Sequence, residues 1–170
     1  MSGGPLSATP GVPPATPLLL DACAVLSWLD PDEQETVDSR VRIDDVFATV
    51  DLTDVSIAVP TLVEVATVLS RKFRLDEEAR SIGDDLDSAG IRIVPFGVEE
   101  ASRVPDVLHA EEITRQVELD AGRKVGRLSL GDRIAMAAAE SRHDTLVTTD
   151  QFVVRVAQRL GFDTYDYRAG

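Results

Sequence analysis

The sequence predicts an α/β protein: a parallel sheet with helices on both faces. Two observations lead there. From Leu18 onward short apolar runs alternate with longer amphipathic segments, and strand–helix alternation of this kind builds parallel sheets. Gly90 and Gly161 stand just before strands, where helix C-caps belong. A chain of 170 residues also fits one domain with a real core.

Residues 2–17 are rich in Ser, Gly, Thr, Ala and Pro, with five prolines, and cannot bury a core. We expect residues 1–17 to be a flexible tail and residues 18–170 to be the folded domain. Leu18-Leu19-Leu20 reads as a buried strand, followed by a short helix over Ala24 to Leu29 and a longer one over Glu33 to Val50. Ser56 to Val59 is the second strand. After Pro60, the residues Leu62, Val65, Ala66, Val68 and Leu69 share one helical face. Ile91 to Val94 is the third strand, and Val98 to Leu119 a charged helical stretch. Ile134, Ala137 and Ala138 mark a helix beginning near Ser129. Thr145 to Thr148 is the fourth strand, a helix runs through Val153 and Val156, and Phe162 to Tyr165 suits an edge strand. The order of the strands cannot be read from this pattern.

Composition narrows the function. No apolar run reaches the roughly 18 residues of a membrane span. The apolar run at Leu18 is too short for a signal-peptide core and follows no Lys or Arg. A cytoplasmic protein without membrane contact is therefore expected. The single cysteine, Cys23, excludes an internal disulfide and a zinc cluster. The net charge of −13 opposes nucleic-acid binding over the whole surface. Bound divalent cations would offset it locally, and basic residues cluster in Arg71-Lys72-Phe73-Arg74 and in Arg123-Lys124-Val125-Gly126-Arg127.

Ligands of open α/β sheets gather beyond the carboxyl ends of the strands, and four acids fall there. Asp21 follows the first strand. Glu64 lies one helical turn past the second, Asp132 in the first turn of the helix near Ser129, and Asp150 after the fourth strand. Carboxylates sharing a pocket repel one another unless a cation holds them, and all-oxygen donors suit Mg²⁺ or Mn²⁺ rather than zinc. Such ions activate water for phosphodiester hydrolysis without any histidine or cysteine. Each acid also has a structural reading. Thr61-Leu62-Val63-Glu64 and Ser129-Leu130-Gly131-Asp132 match capping boxes, and Asp21 and Asp150 suit N-caps. A carboxylate has two oxygens, so capping and ligation are compatible.

Four segments carry a resemblance. Leu18-Leu19-Leu20-Asp21-Ala22-Cys23-Ala24-Val25-Leu26, Val59-Pro60-Thr61-Leu62-Val63-Glu64-Val65, Leu128-Ser129-Leu130-Gly131-Asp132-Arg133 and Leu146-Val147-Thr148-Thr149-Asp150 resemble, in order, the four motifs of PIN domains. Leu-Ser-Leu-Gly-Asp before the alanine-rich helix Ile134-Ala135-Met136-Ala137 is the most specific, and is similar to VapC-like toxins. The resemblance runs from about Leu18 to Tyr165. It implies a three-layer α/β/α sandwich around a mostly parallel sheet. It implies an endoribonuclease dependent on Mg²⁺ or Mn²⁺, the toxin of a toxin–antitoxin pair, held by a cognate antitoxin and able to form a homodimer. Asp21 and Asp132 would be the metal ligands, Glu64 and Asp150 would complete the catalytic set, and Thr148 would be an accessory hydroxyl.

Cys23 departs from the family, many of whose members carry Ser or Asn there, and a thiol is the poorer hydrogen-bond partner. It also reads as a small buried apolar residue, and nucleophilic chemistry beside Asp21 is disfavoured. His109 and His143 read as incidental, and Trp28 as a packing residue. The helix segments 33–50 and after Pro60 offer an apolar face, which suits either the core or an antitoxin tail. Phosphatases of the haloacid-dehalogenase type need a second Asp where Cys23 stands, and receiver domains need a late Lys that is missing. Neither G-x-x-x-x-G-K-[ST] nor G-x-G-x-x-G occurs. The alternative that survives is a non-catalytic binding or regulatory module on the same fold.

Overall fold

The structure, a computed structural model, describes residues 17–29 and 37–168, without the side chains of 37–42. The expected tail, apart from Pro17, and residues 33–36 of the expected second helix lie outside the described residues.

Five parallel strands form one sheet in the order β3-β2-β1-β4-β5. They are β1 (Leu18–Leu20), β2 (Val55–Ala58), β3 (Arg92–Val94), β4 (Thr145–Val147) and β5 (Thr164–Tyr165). The helices are α1 (Ala22–Leu29), α2 (Val37–Thr49), α3 (Val59–Val68), α4 (Asp76–Ser88), α5 (Val98–Asp120), α6 (Leu130–Arg142) and α7 (Gln151–Leu160). A 3₁₀ turn, Leu52–Asp54, precedes β2, and a π turn, Leu69–Phe73, extends α3.

Alternation along the strands sorts the core into two layers. Leu18 and Leu20 of β1, with Val55 and Ile57 of β2, pack on α1 to α4 through Val25, Ile43, Val65 and Leu86. Leu19 and Ala58 point to the other face, against Val107 of α5, Ala135 to Ala139 of α6 and Val153 and Val156 of α7. The α/β/α sandwich expected from the sequence is therefore present. All three β1 leucines are buried, each stabilising the fold by roughly 2 kcal/mol. The alanines of α6 let that helix lie close to the sheet.

The boundaries shift by a residue or two. α1 starts at Ala22, directly after Asp21. β2 ends at Ala58 because Val59 and Pro60 already form the first turn of α3, where proline costs no hydrogen bond. Helix α4 was not foreseen. It is strongly acidic, and Ile82 and Leu86 are its buried residues. It ends just before Gly90, whose φ of +93° turns the chain into β3, and Gly161 caps α7 at φ +84°.

The strand order has one functional consequence. The chain steps outward from β1 through β2 to β3, then returns to the other side of β1 with β4. The switch lies between β1 and β4, the place in such sheets where a crevice opens beyond the strand ends.

Candidate active site

Asp21 ends β1 at this switch and is 3% exposed. Its backbone N–H still donates to Val147 of β4, at 3.1 Å. The side chain is fixed from both sides. Oδ1 accepts the Ala22 N–H at 2.8 Å, and Oδ2 accepts the Thr148 hydroxyl at 2.9 Å. Thr148, fully buried just past β4, thus holds the orientation of Asp21. It also accepts the Asp150 N–H at 3.2 Å.

Cys23 stands beside this pair rather than inside the apolar core. Its Sγ lies 3.4 Å from Asp21 Oδ2 and 3.5 Å from Thr148 Oγ1, and Thr149 Oγ1 is 3.8 Å away. Burial, then the Asp21 charge, pushes its thiol up to about 12, so it stays protonated and is no nucleophile.

Glu64 reaches the site from α3. The capping box that the sequence suggested does not form, because α3 begins at Val59 with Ala58 as its N-cap. Thr61 is instead buried within the helix, and its hydroxyl has no hydrogen-bond partner among the described residues. Glu64 is left free to lie against Gly131, so closely that a Cβ at that position would overlap its carboxylate. This contact joins α3 and α6, which belong to opposite layers of the sandwich.

Asp132 does form its capping box. Oδ2 accepts the Ser129 N–H at 2.7 Å, and the Ser129 hydroxyl accepts the Asp132 N–H at 3.0 Å. Asp150 is the N-cap of α7, with Oδ1 accepting from Phe152 at 2.7 Å and Val153 at 3.2 Å. The structural readings of these two acids therefore hold, and in each the second oxygen is left uncommitted among the described residues.

The structure brings Asp21, Glu64 and Asp132 into mutual electrostatic contact. Burial, reinforced by Asp132, raises the Asp21 carboxyl to about 6 despite its hydrogen bonds. Burial, then the charges of Asp21 and Asp132, raises Glu64 as well. No basic side chain is among the groups acting on either. Asp150 touches this group only through its backbone N–H on Thr148, and its carboxylate is not among the charges acting on Asp21 or Glu64.

An all-oxygen donor set with repelling, uncompensated charges fits a hard divalent cation. Among the described residues, however, no three acidic, histidine or cysteine side chains are grouped so that they could hold a metal ion as they stand. Asp132 and Asp150 each turn one oxygen back to their own helix, and the remaining oxygens are those open to a cation.

Glu111, on α5, was not foreseen. It is 3% exposed and grips the start of α6. Burial opposes its ionisation, but hydrogen bonds from Arg133 and the Leu128 amide hold its carboxyl below the usual value. The available signal was that Glu111 and Glu118 fall on the same face as Val107, Ala110 and Thr114. His109 is exposed on α5. His143 caps α6 in the left-handed region at φ +58°. Trp28 packs edge-on against Phe47, with ring centres 5.2 Å apart.

No curated protein matches the chain by sequence. Three solved structures are similar in fold. The structure of FitAB bound to an IR36 DNA fragment matches at TM-score 0.62 and 18% identity, over 90% of this chain and 96% of the other. FitAcB from Neisseria gonorrhoeae matches at 0.60 and 19%, over 90% and 99%. DNA-bound VapBC from Salmonella typhimurium matches at 0.53 and 17%, over 89% and 98%. Residues 18–158 match the sequence profile of the PIN domain, a span that holds all four acids and every strand but β5, and the chain therefore belongs to the PIN domain family.

Proposed function

We propose that this chain is a metal-dependent endoribonuclease, the VapC-like toxin of a toxin–antitoxin pair. PIN domains are generally nucleases that use divalent metal ions. The observation that carries the reading here is the convergence of Asp21, Glu64 and Asp132 at the β1/β4 switch, with no basic side chain among the groups acting on Asp21 or Glu64. A purely structural cluster of acids has no reason to leave its charge uncompensated.

Asp21 and Asp132 would hold Mg²⁺ or Mn²⁺, with Glu64 and Asp150 completing the set. Such an ion, when bound, would supply an acidified water and offset charge on the phosphodiester. Thr148 and the Ala22 amide keep Asp21 in one orientation, and the Ser129 amide does the same for Asp132. Glu64 and Asp150 would complete the pocket or orient the water.

The partner reading rests on the Leu128 to Asp132 motif and is supported by the fold shared with VapBC. An acidic chain suits a basic antitoxin tail, and a cytoplasmic location and a homodimer go with the same reading. A non-catalytic binding module is the second reading. It is favoured by the capping bonds that occupy one oxygen each of Asp132 and Asp150.

One experiment separates the two. Antitoxin-free protein is incubated with total cellular RNA and Mn²⁺, beside Asp132→Asn and a chelator control. Asn keeps the capping acceptor, so the fold is retained. We expect discrete cleavage that both controls abolish, together with a rise in Tm on adding Mn²⁺ that the variant loses. Intact RNA and an unchanged Tm with folded wild-type protein would assign the chain to the binding module.

A further inference from the structure

Glu111 stands where an acid needs a reason. It shares the buried face of α5 with Val107, Ala110 and Thr114. Its Oε1 accepts the Leu128 backbone N–H at 3.0 Å. Arg133 donates Nε–H to Oε2 at 2.8 Å and Nη2–H to Oε1 at 3.1 Å. Leu128 directly precedes Ser129, the N-cap of α6, and Arg133 directly follows Asp132. One carboxylate from another helix therefore grips both ends of the turn that presents Asp132.

We propose that Glu111 is a positioning residue of the site: by clamping Leu128 and Arg133 it sets where α6 begins, and so places Asp132 opposite Asp21 and Glu64. The inference rests on the nuclease reading given above. A forked arginine pair fixes the plane of a carboxylate, and the added main-chain bond ties that plane to the backbone of the turn. Asp132 has its own bond to Ser129, but that bond is internal to the turn. It shapes the turn without fixing it to the rest of the molecule.

Glu118 shows what a plain structural pair looks like on the same helix face. It is buried and meets Arg123 at 3.0 Å and Arg155 at 3.4 Å. Neither arginine adjoins an acid of the site. Groups that orient metal ligands from behind contribute about 10- to 100-fold to metal affinity or activity, and that range separates Glu111 from Glu118.

The test compares wild type, Glu111→Gln and Glu118→Gln. Gln keeps a carbonyl for the Leu128 N–H and loses the charged fork. Calorimetry gives the Mn²⁺ Kd, RNA cleavage gives kcat and KM, and urea denaturation gives stability. We expect Glu111→Gln to weaken Mn²⁺ binding about 10-fold and to lower kcat about as much, with KM for RNA unchanged. Glu118→Gln should lower the urea midpoint and leave the Mn²⁺ Kd and kcat alone. If Glu111→Gln does not fold, Arg133→Lys breaks the fork while keeping the charge and should show the same loss. Wild-type Mn²⁺ affinity and kcat in the fork-breaking variant would overturn the inference, as would an equal loss in Glu118→Gln. Wild-type protein that neither binds Mn²⁺ nor cuts RNA would overturn the nuclease reading, and the inference with it.

Discussion

Two groups of acids lie in this small domain and are treated in opposite ways. On α5, Glu111 and Glu118 are buried, and each is met by arginine. At the strand ends, Asp21 is just as buried and Glu64 half-buried, yet the charges facing them are only other acids. Burial costs a carboxylate several kcal/mol unless something offsets it. On α5 the protein itself provides the offset, and the acids tie helices together. At the strand ends it provides hydroxyls and amides that orient Asp21 but do not neutralise it. Compensated acids hold this fold together, whereas those at the strand ends are oriented without being neutralised.

The contrast breaks first at Glu111. Replacing it by Ala strands the Leu128 amide and the Arg133 guanidinium, and should cost about 3 kcal/mol of stability. Urea denaturation in the presence of a chelator reads this directly. A loss below about 1 kcal/mol would mean that the α5 acids are not structural in the sense argued.

Asp21 should behave in the opposite way. Its carboxyl is raised in the folded state from 3.8 to about 6. Its contribution to stability is thus fully present below the unfolded value and is lost as pH rises through about 6. In metal-free protein, Asp21→Asn should therefore gain about 1–2 kcal/mol at pH 7.5 and little at pH 4. Asn can still accept from Ala22 and can donate to Thr148. Denaturation at both pH values checks the sign, and a variant less stable than wild type at pH 7.5 would refute the claim of uncompensated charge.

Gly131→Ala sharpens the comparison with the smallest change. A methyl group there would push the Glu64 carboxylate away. Alanine also favours the helix by about 1 kcal/mol. Stability should stay within about 1 kcal/mol of wild type while Mn²⁺ affinity falls about 10-fold. Calorimetry and a urea titration on one preparation report both.

Much of this was legible in the sequence because it is local. Asp21 directly follows an apolar run, Asp150 stands just past the fourth strand, and Ser129-Leu130-Gly131-Asp132 announces its own capping box. Thr61 to Glu64 misled for an equally local reason. Pro60 fits the first turn of a helix, so α3 starts before Thr61 and leaves Glu64 free. The order β3-β2-β1-β4-β5 was not legible, since pairing depends on contacts distant in the chain. Helix α4 was hidden by its acidity, with Ile82 and Leu86 as its buried residues. Glu111 was missed because its partners, Leu128 and Arg133, lie 17 and 22 residues away. Cys23 reads as apolar by type and is placed by Asp21 and Thr148 in a polar setting.

The division of the core has a consequence in time. A ribosome makes β1, β2 and β3 together with α1 to α4 before α5 to α7 exist. During that interval one sheet face, with Leu19 and Ala58, has no cover, and domains complete their folding only when such surfaces close. Asp21 and Glu64 are already made by then, but Asp132 and Thr148 are not. The acidic site therefore cannot assemble before α6 and β4 have been made, and any activity it supports begins only then.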